Sequence, residues 1–141
     1  MSKIVLWNNF DRSQFASATG SKLELYSVSK AADGSRRATA VNSRDHKKVD
    51  FTCAQWYPHE EKPQLMACGM SNSVVGLVDW ASENKGLKEI NPATAGRRPC
   101  SGLSWNLLNK SYLAASFDKH QRDNSSVVVW DIETEKPVVK L

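Results

Sequence analysis

The sequence predicts an all-β fold of repeated sheets, and three observations predict it. Trp7, Trp56 and Trp105 recur at a spacing of 49 positions, each at a strand-like stretch: Lys3 to Trp7, Asp50 to Tyr57, and Cys100 to Trp105. A small-residue strand follows each one: Phe15 to Ala18, Met66 to Gly69, and Leu113 to Ser116. A β-branched or aromatic strand comes next: Leu23 to Val28, Val74 to Trp80, and Val127 to Ile132. Three landmarks in one order, three times over, are the pattern of a partial WD-repeat β-propeller of about three blades, an incomplete ring.

The first blade-like unit spans about 1–49. Asn8-Asn9 turns the chain after Trp7, and Thr19-Gly20-Ser21 makes the next hairpin turn. Leu23 and Leu25 then share one face while Lys22, Glu24 and Tyr26 share the other, the period of two of a half-buried strand. The segment from about 29 to 49 shows neither helical nor strand period. It reads as a long exposed basic loop with a ragged fourth strand around Ala38 to Val41.

The second unit spans about 50–99. Two prolines and three charges make Pro58 to Pro63 a turn, Met70 to Ser73 is the next hairpin, and Leu87 to Ile90 is the candidate outer strand. Asp79-Trp80 takes the place that Trp130-Asp131 takes later, with the order inverted. The third unit, 100–141, is the clearest, and its last strand, Val138 to Leu141, reads as cut off by the chain end.

Blades taper toward a central channel, so small residues belong near it and large ones in the widening space between sheets. Trp56 and Trp105 are therefore expected as fillers between blades, burying roughly 150–250 Å² each. Three blades leave a strand edge exposed at each end, a liability for a free chain. A fragment of a longer product, or a ring completed by another chain, is the expectation.

Composition excludes several classes. The chain has 141 residues, 40% hydrophobic and 24% charged, ordinary for a soluble globular protein. Its longest apolar runs are far short of the ~18 residues a spanning helix needs, so a cytosolic protein without membrane insertion is expected. The net charge of +4 resides in one segment, where Lys30, Arg36, Arg37, Arg44, Lys47 and Lys48 oppose Asp33 and Asp45. No Phe, Trp or Tyr accompanies these cations, so a nucleic-acid footprint is not expected there; RNA binding through this loop is the alternative.

Cys53, Cys68 and Cys100 have no zinc-ligand spacing and read as small buried hydrophobes, so neither metal nor cofactor is expected. His46 and His59 lie in charged loops and read as solvated. No nucleophile elbow or phosphate loop occurs, which argues against an enzyme. One loop stands out: Asp118, Lys119, His120 and Arg122 form either a charged contact for a protein partner or a turn bonded to its own blade.

The strings CAQWY (Cys53 to Tyr57), WN (Trp105-Asn106) followed by LAAS (Leu113 to Ser116), DKH (Asp118 to His120) and VWDI (Val129 to Ile132) occur together. With the strands Ile4 to Trp7 and Glu24 to Val28, their order resembles the N-terminal propeller of the Mio ("missing oocyte") WD-repeat family. The resemblance covers almost the whole chain but only the first part of such a protein. It implies a non-enzymatic scaffold in a GATOR/SEA-type complex, acting in amino-acid signalling to the TOR kinase complex. Its implied partners are Seh-like and other WD-repeat subunits, at the lysosomal or vacuolar surface. The α-solenoid and zinc-binding RING-like domain of that family have no counterpart in these residues.

Overall fold

The computed structural model describes residues 3–83, 86–91, 98–118 and 127–141. Among them the regular structure is β only, in three four-stranded antiparallel sheets. The first holds β1 (Lys3–Trp7), β2 (Gln14–Thr19), β3 (Lys22–Lys30) and β4 (Arg36–Asp45). The second holds β5 (Phe51–Trp56), β6 (Leu65–Met70), β7 (Val75–Asp79) and β8 (Lys88–Glu89). The third holds β9 (Cys100–Trp105), β10 (Tyr112–Phe117), β11 (Val127–Asp131) and β12 (Lys136–Lys140). Each sheet is a simple meander, pairing only within itself. This is the all-β, unclosed propeller segment the three landmarks predict.

The core lies between the sheets, in two clusters. Ala16, Ala18, Leu23 and Leu25 of the first sheet meet Trp56, Met66, Met70 and Trp80 of the second. Ala67, Val75 and Leu77 of the second meet Leu103, Trp105, Leu113 and Trp130 of the third. Neighbouring sheets approach most closely at their first strands, which makes β1, β5 and β9 the inner ones. The small residues of β2, β6 and β10 stand next to them. Burying two indoles of 150–250 Å² supplies roughly 4–6 kcal/mol each at about 25 cal/mol per Å².

Three expectations are corrected. The basic segment is not a loop: β3 and β4 pair from Lys22↔Asp45 out to Lys30↔Arg36, so most of it is an outer β-ribbon. Polar and small residues on both faces hide its strand period. The turn at its tip is closed by Ala31 N donating to Ser35 O at 2.7 Å, with Gly34 at φ 87°, where a side chain would be strained. In the third sheet the last strand pairs up to Leu141, where Val127 and Leu141 exchange both backbone hydrogen bonds, 3.2 and 2.8 Å.

The supposed inversion of Asp79-Trp80 is a register effect. Leu65 pairs with Asp79 and Tyr112 with Asp131, so the two aspartates are equivalent. Asp79 Oδ1 accepts from Ala81 N at 3.0 Å, and Asp131 Oδ1 accepts from Glu133 N at 3.0 Å. Trp80 sits one position beyond the strand, its Nε1 3.2 Å from Met66 Sδ. Finally, the two ends of the stack expose sheet faces and not pairing edges, because the sheets stack through side chains.

Candidate interaction surfaces

The first strands end in a turn that orders the rest of each unit. In the first sheet Asn8 Oδ1 accepts from Phe10 N (2.7 Å) and Asp11 N (3.1 Å). In the third, Asn106 Oδ1 accepts from Leu108 N and Asn109 N, both at 2.8 Å. The side-chain oxygen replaces a backbone acceptor and sets the chain back on itself. Asn8 is buried and also donates through Nδ2 to Pro63 O of the second sheet at 3.1 Å. Phe10, Leu107 and Leu108 stand exposed at these turn tips.

Between sheets, Trp56 and Trp105 reach backward. Trp56 Nε1 donates to Leu6 O at 3.0 Å, and Trp105 Nε1 donates to Gln55 O at 3.3 Å. Both acceptors are the residue just before the preceding unit's own tryptophan. Tyr57 Oη donates to Lys110 O at 2.8 Å, Lys110 forms an ion pair with Glu61, and Lys88 pairs with Glu135 at 2.6 Å. His59 is not simply solvated, since its Nε2 lies 3.1 Å from Asn106 O.

Among the described residues no sheet packs in front of Trp7, which is 56% exposed, with Val5 at 61%. It packs edge-on against Phe15, centroids 5.2 Å apart, and Phe15 stacks on Tyr26 at 5.1 Å. These three rings occupy the positions that Trp105, Leu113 and Trp130 occupy in the third sheet, where they are buried.

The thiols also form a group that sequence separation concealed. Cys53 and Cys100, from two sheets, bring their sulfurs to 3.5 Å, and Thr52 Oγ1 donates to Cys100 O at 2.5 Å. Gly69 makes room for them: a Cβ there would lie 2.5 Å from Cys100 Sγ and 2.6 Å from Cys53 Sγ. The bond with Cys100 holds the Cys53 thiol below the usual range and pushes Cys100 up, and burial pushes Cys68 up. Among the described residues, no three or more of His, Cys, Asp and Glu are grouped to hold a metal ion.

Of the basic residues, Arg44 leaves the exposed set. It is 6% exposed, its guanidinium 4.9 Å from the Trp80 ring centroid. Nη1 donates to Asn42 Oδ1 and Ser43 O, while Nε and Nη2 have no hydrogen-bond partner among the described residues. Burial lowers its pKa from the ordinary arginine value. Arg36 and Arg37 lie exposed on the ribbon, beside the Lys30 end of β3.

Of the singled-out loop, Asp118 is exposed and its backbone N donates to Pro99 O at 3.0 Å. Lys119, His120 and Arg122 lie outside the described residues. No helix among the described residues is long and apolar enough to cross a membrane, which says nothing of a β-barrel.

The family described as MIOS, WD40 repeat matches residues 28–139. The GATOR2 complex protein MIOS-A of Xenopus laevis is 32% identical over 148 residues, covering 92% of this chain and 16% of that protein. The GATOR2 complex protein MIOS of Dictyostelium discoideum is 38% identical over 80 residues, 57% of this chain and 7% of that one. The chain thus spans a small fraction of the length of these relatives. Among solved structures, the C-terminal WD40 domain of Sif2 superimposes with a TM-score of 0.69 at 16% identity, covering 97% of this chain and 36% of that one. A chain of the mitotic checkpoint complex gives 0.70 at 16% identity, covering 98% and 38%. At such identity the likeness establishes the WD40 propeller fold.

Proposed function

This chain belongs to the MIOS WD40-repeat family, and we propose that it is a non-enzymatic scaffold and protein-interaction segment of a GATOR2-type complex. The observation that carries this reading is the family match across residues 28–139, joined by relatives that bear the GATOR2 name. The role is amino-acid signalling to the TOR kinase complex, from the cytoplasm and at the lysosomal or vacuolar surface through the complex. Other GATOR2-type subunits, Seh-like and other WD-repeat proteins, are the partners, and Asp118, Lys119, His120 and Arg122 form a contact loop. The stacked sheets support the reading physically, since their turns and end faces offer large surfaces on a stiff frame.

An affinity-tagged chain expressed in cells tests it. Co-purification of GATOR2-type subunits, reduced by charge reversal at Asp118 and Lys119, is the expected result for the scaffold and its contact loop. Failure to retain any such subunit, under conditions that retain a full-length relative, overturns the scaffold role. RNA binding through the ribbon would instead show affinity falling steeply with added salt, because bound cations release counterions.

A further inference from the structure

Cys53 and Cys100 occupy two places that the repeat fills differently one unit earlier. In the second sheet Phe51 and Cys53 lie opposite Met70 and Gly69, and in the third Cys100 and Gly102 lie opposite Phe117 and Ser116. Thr52 and Ser101 are thus the extra residues of matching bulges, and Cys100 is the counterpart of Phe51. Cys53, opposite Gly69, is the counterpart of Ile4, opposite Ala18. Between the first and second sheets the two places hold Ile4 and Phe51, packed in one apolar cluster. Between the second and third they hold two thiols. Hydrocarbon fills the site once and oxidisable sulfur once, so packing alone does not require the cysteines.

The surroundings hold the two sulfurs together. They lie 3.5 Å apart, and closure to the roughly 2.05 Å of a disulfide is a short movement. Thr52 Oγ1 donates to the Cys100 carbonyl at 2.5 Å, and Cys53 Sγ lies 3.5 Å from the same oxygen. Gly69 leaves both sulfurs the space that a side chain of its own would take. Cys53 is part-buried and Cys100 buried, so a small oxidant meets Cys53 first. The bond with Cys100 holds the Cys53 thiol below its usual range, which favours the reactive thiolate. Both sheets that form the site are among the described residues.

We propose that Cys53 and Cys100 are a peroxide-oxidised pair, whose reversible disulfide clamps the second sheet to the third. The Cys53 thiolate attacks one oxygen of hydrogen peroxide and the O–O bond breaks. Cys53 becomes a sulfenic acid, and the other oxygen leaves as hydroxide and is protonated to water. The Cys100 sulfur then attacks the Cys53 sulfur. The S–O bond breaks, and the departing hydroxide takes the Cys100 proton as a second water. Two thiols lose two electrons and two protons, and peroxide accepts them. A dithiol reductant reverses the change by exchange. The inference does not depend on the signalling role.

The test treats the purified, reduced chain with a few equivalents of hydrogen peroxide, quenches it with iodoacetamide and maps the peptides by mass. A link between Cys53 and Cys100 within one chain, undone by dithiothreitol, is expected, with Cys68 labelled only after denaturation. Cys100→Ser should stop at a Cys53 sulfenic acid, trapped by dimedone. Cys53→Ser should leave Cys100 unoxidised over the same time. The oxidised wild type should melt about 5–10 °C above the reduced form, because the link closes a long loop. Peroxide should not raise the melting temperature of Cys53→Ser. Sulfinic acid at Cys53 without a link, a link through Cys68 or to a second chain, or equal oxidation of Cys100 in Cys53→Ser overturns the proposal. A linked chain that melts no higher overturns the clamp. Should a serine variant fail to fold, the wild-type map and melting curves decide by themselves.

Discussion

Trp105 Nε1 donates to Gln55 O at 3.3 Å, fifty positions back along the chain. Trp56 makes the same bond to Leu6 O at 3.0 Å, over the same separation. An indole that fills the space between two sheets and also bonds the backbone of the one behind it sets both their distance and their register. Truncation of Trp105 to alanine should cost about 3–5 kcal/mol in urea unfolding, as for other buried aromatics. Trp105→Phe should lose less, with roughly 1 kcal/mol of it from the missing hydrogen bond. Trp7→Ala in the monomer should fall within about 0.5 kcal/mol of wild type, since that ring is largely uncovered. Equal losses at Trp7 and Trp105 would contradict the stacking order.

Gly69 and Gly76 offer a second contrast. A methyl at Gly69 meets two sulfurs on short side chains from two sheets, which have no room to swing. A methyl at Gly76 has a single side chain, Leu87, as its nearest neighbour, met at Cδ2 and Cγ. Gly69→Ala should therefore lose about 1–3 kcal/mol by overpacking, and Gly76→Ala less. Thermal unfolding of the two variants gives the order, and a reversed order refutes it.

The thiols should react unequally. A lowered pKa gives Cys53 more thiolate at a given pH, and it is the one cysteine of the three that is not fully buried. Cys100, bonded to it, and Cys68, which is fully buried, are pushed the other way and stay neutral. Iodoacetamide at mildly alkaline pH should label Cys53 first in the native state, read by peptide mass mapping. Early labelling of Cys68 would mean that the second sheet is not packed as described.

Acid should weaken the fold gently. The Ser13 hydroxyl and backbone hold the Asp11 carboxyl below its ordinary value, Ser35 does so for Asp33, and Lys110 for Glu61. A folded value below the unfolded one gives stabilisation that is present above about pH 4 and lost as pH falls through the folded value. Glu61 also raises Lys110, whose contribution is lost at the alkaline end, as pH rises through the raised lysine value. All four groups are solvated, so the changes should be small and screened by salt. Asp11→Asn should flatten the acid limb of a stability-against-pH profile slightly; an unchanged limb would assign the loss elsewhere.

Asn8 and Asn106 look alike in sequence but should differ in weight. Both close the first turn of their unit, yet only Asn8 is buried and bonded to the neighbouring sheet through Pro63 O. Asn8→Ala should cost about 1–3 kcal/mol by leaving buried groups unpaired. Asn106→Ala, whose turn is exposed, should cost about 0.5–1 kcal/mol. Chemical unfolding of the pair measures the difference.

The sequence by itself determined the number and order of the sheets, the equivalence of Trp7, Trp56 and Trp105, and the resemblance to a WD-repeat family. Those properties live in local alternation, turn chemistry and spacing, which a chain carries whether or not it is folded. It misread the ribbon of the first sheet, because solvent on both faces removes the hydrophobic period that marks a strand. The contact loop at Asp118, Lys119, His120 and Arg122 was singled out by sequence, and of it the structure places Asp118 alone. Only tertiary structure decided that Cys53 meets Cys100, that Arg44 is buried against Trp80, and that Trp7, Phe15 and Tyr26 pack into one aromatic row. Each of those depends on which face of one sheet lies against the next, a relation between residues far apart in sequence that no local pattern encodes.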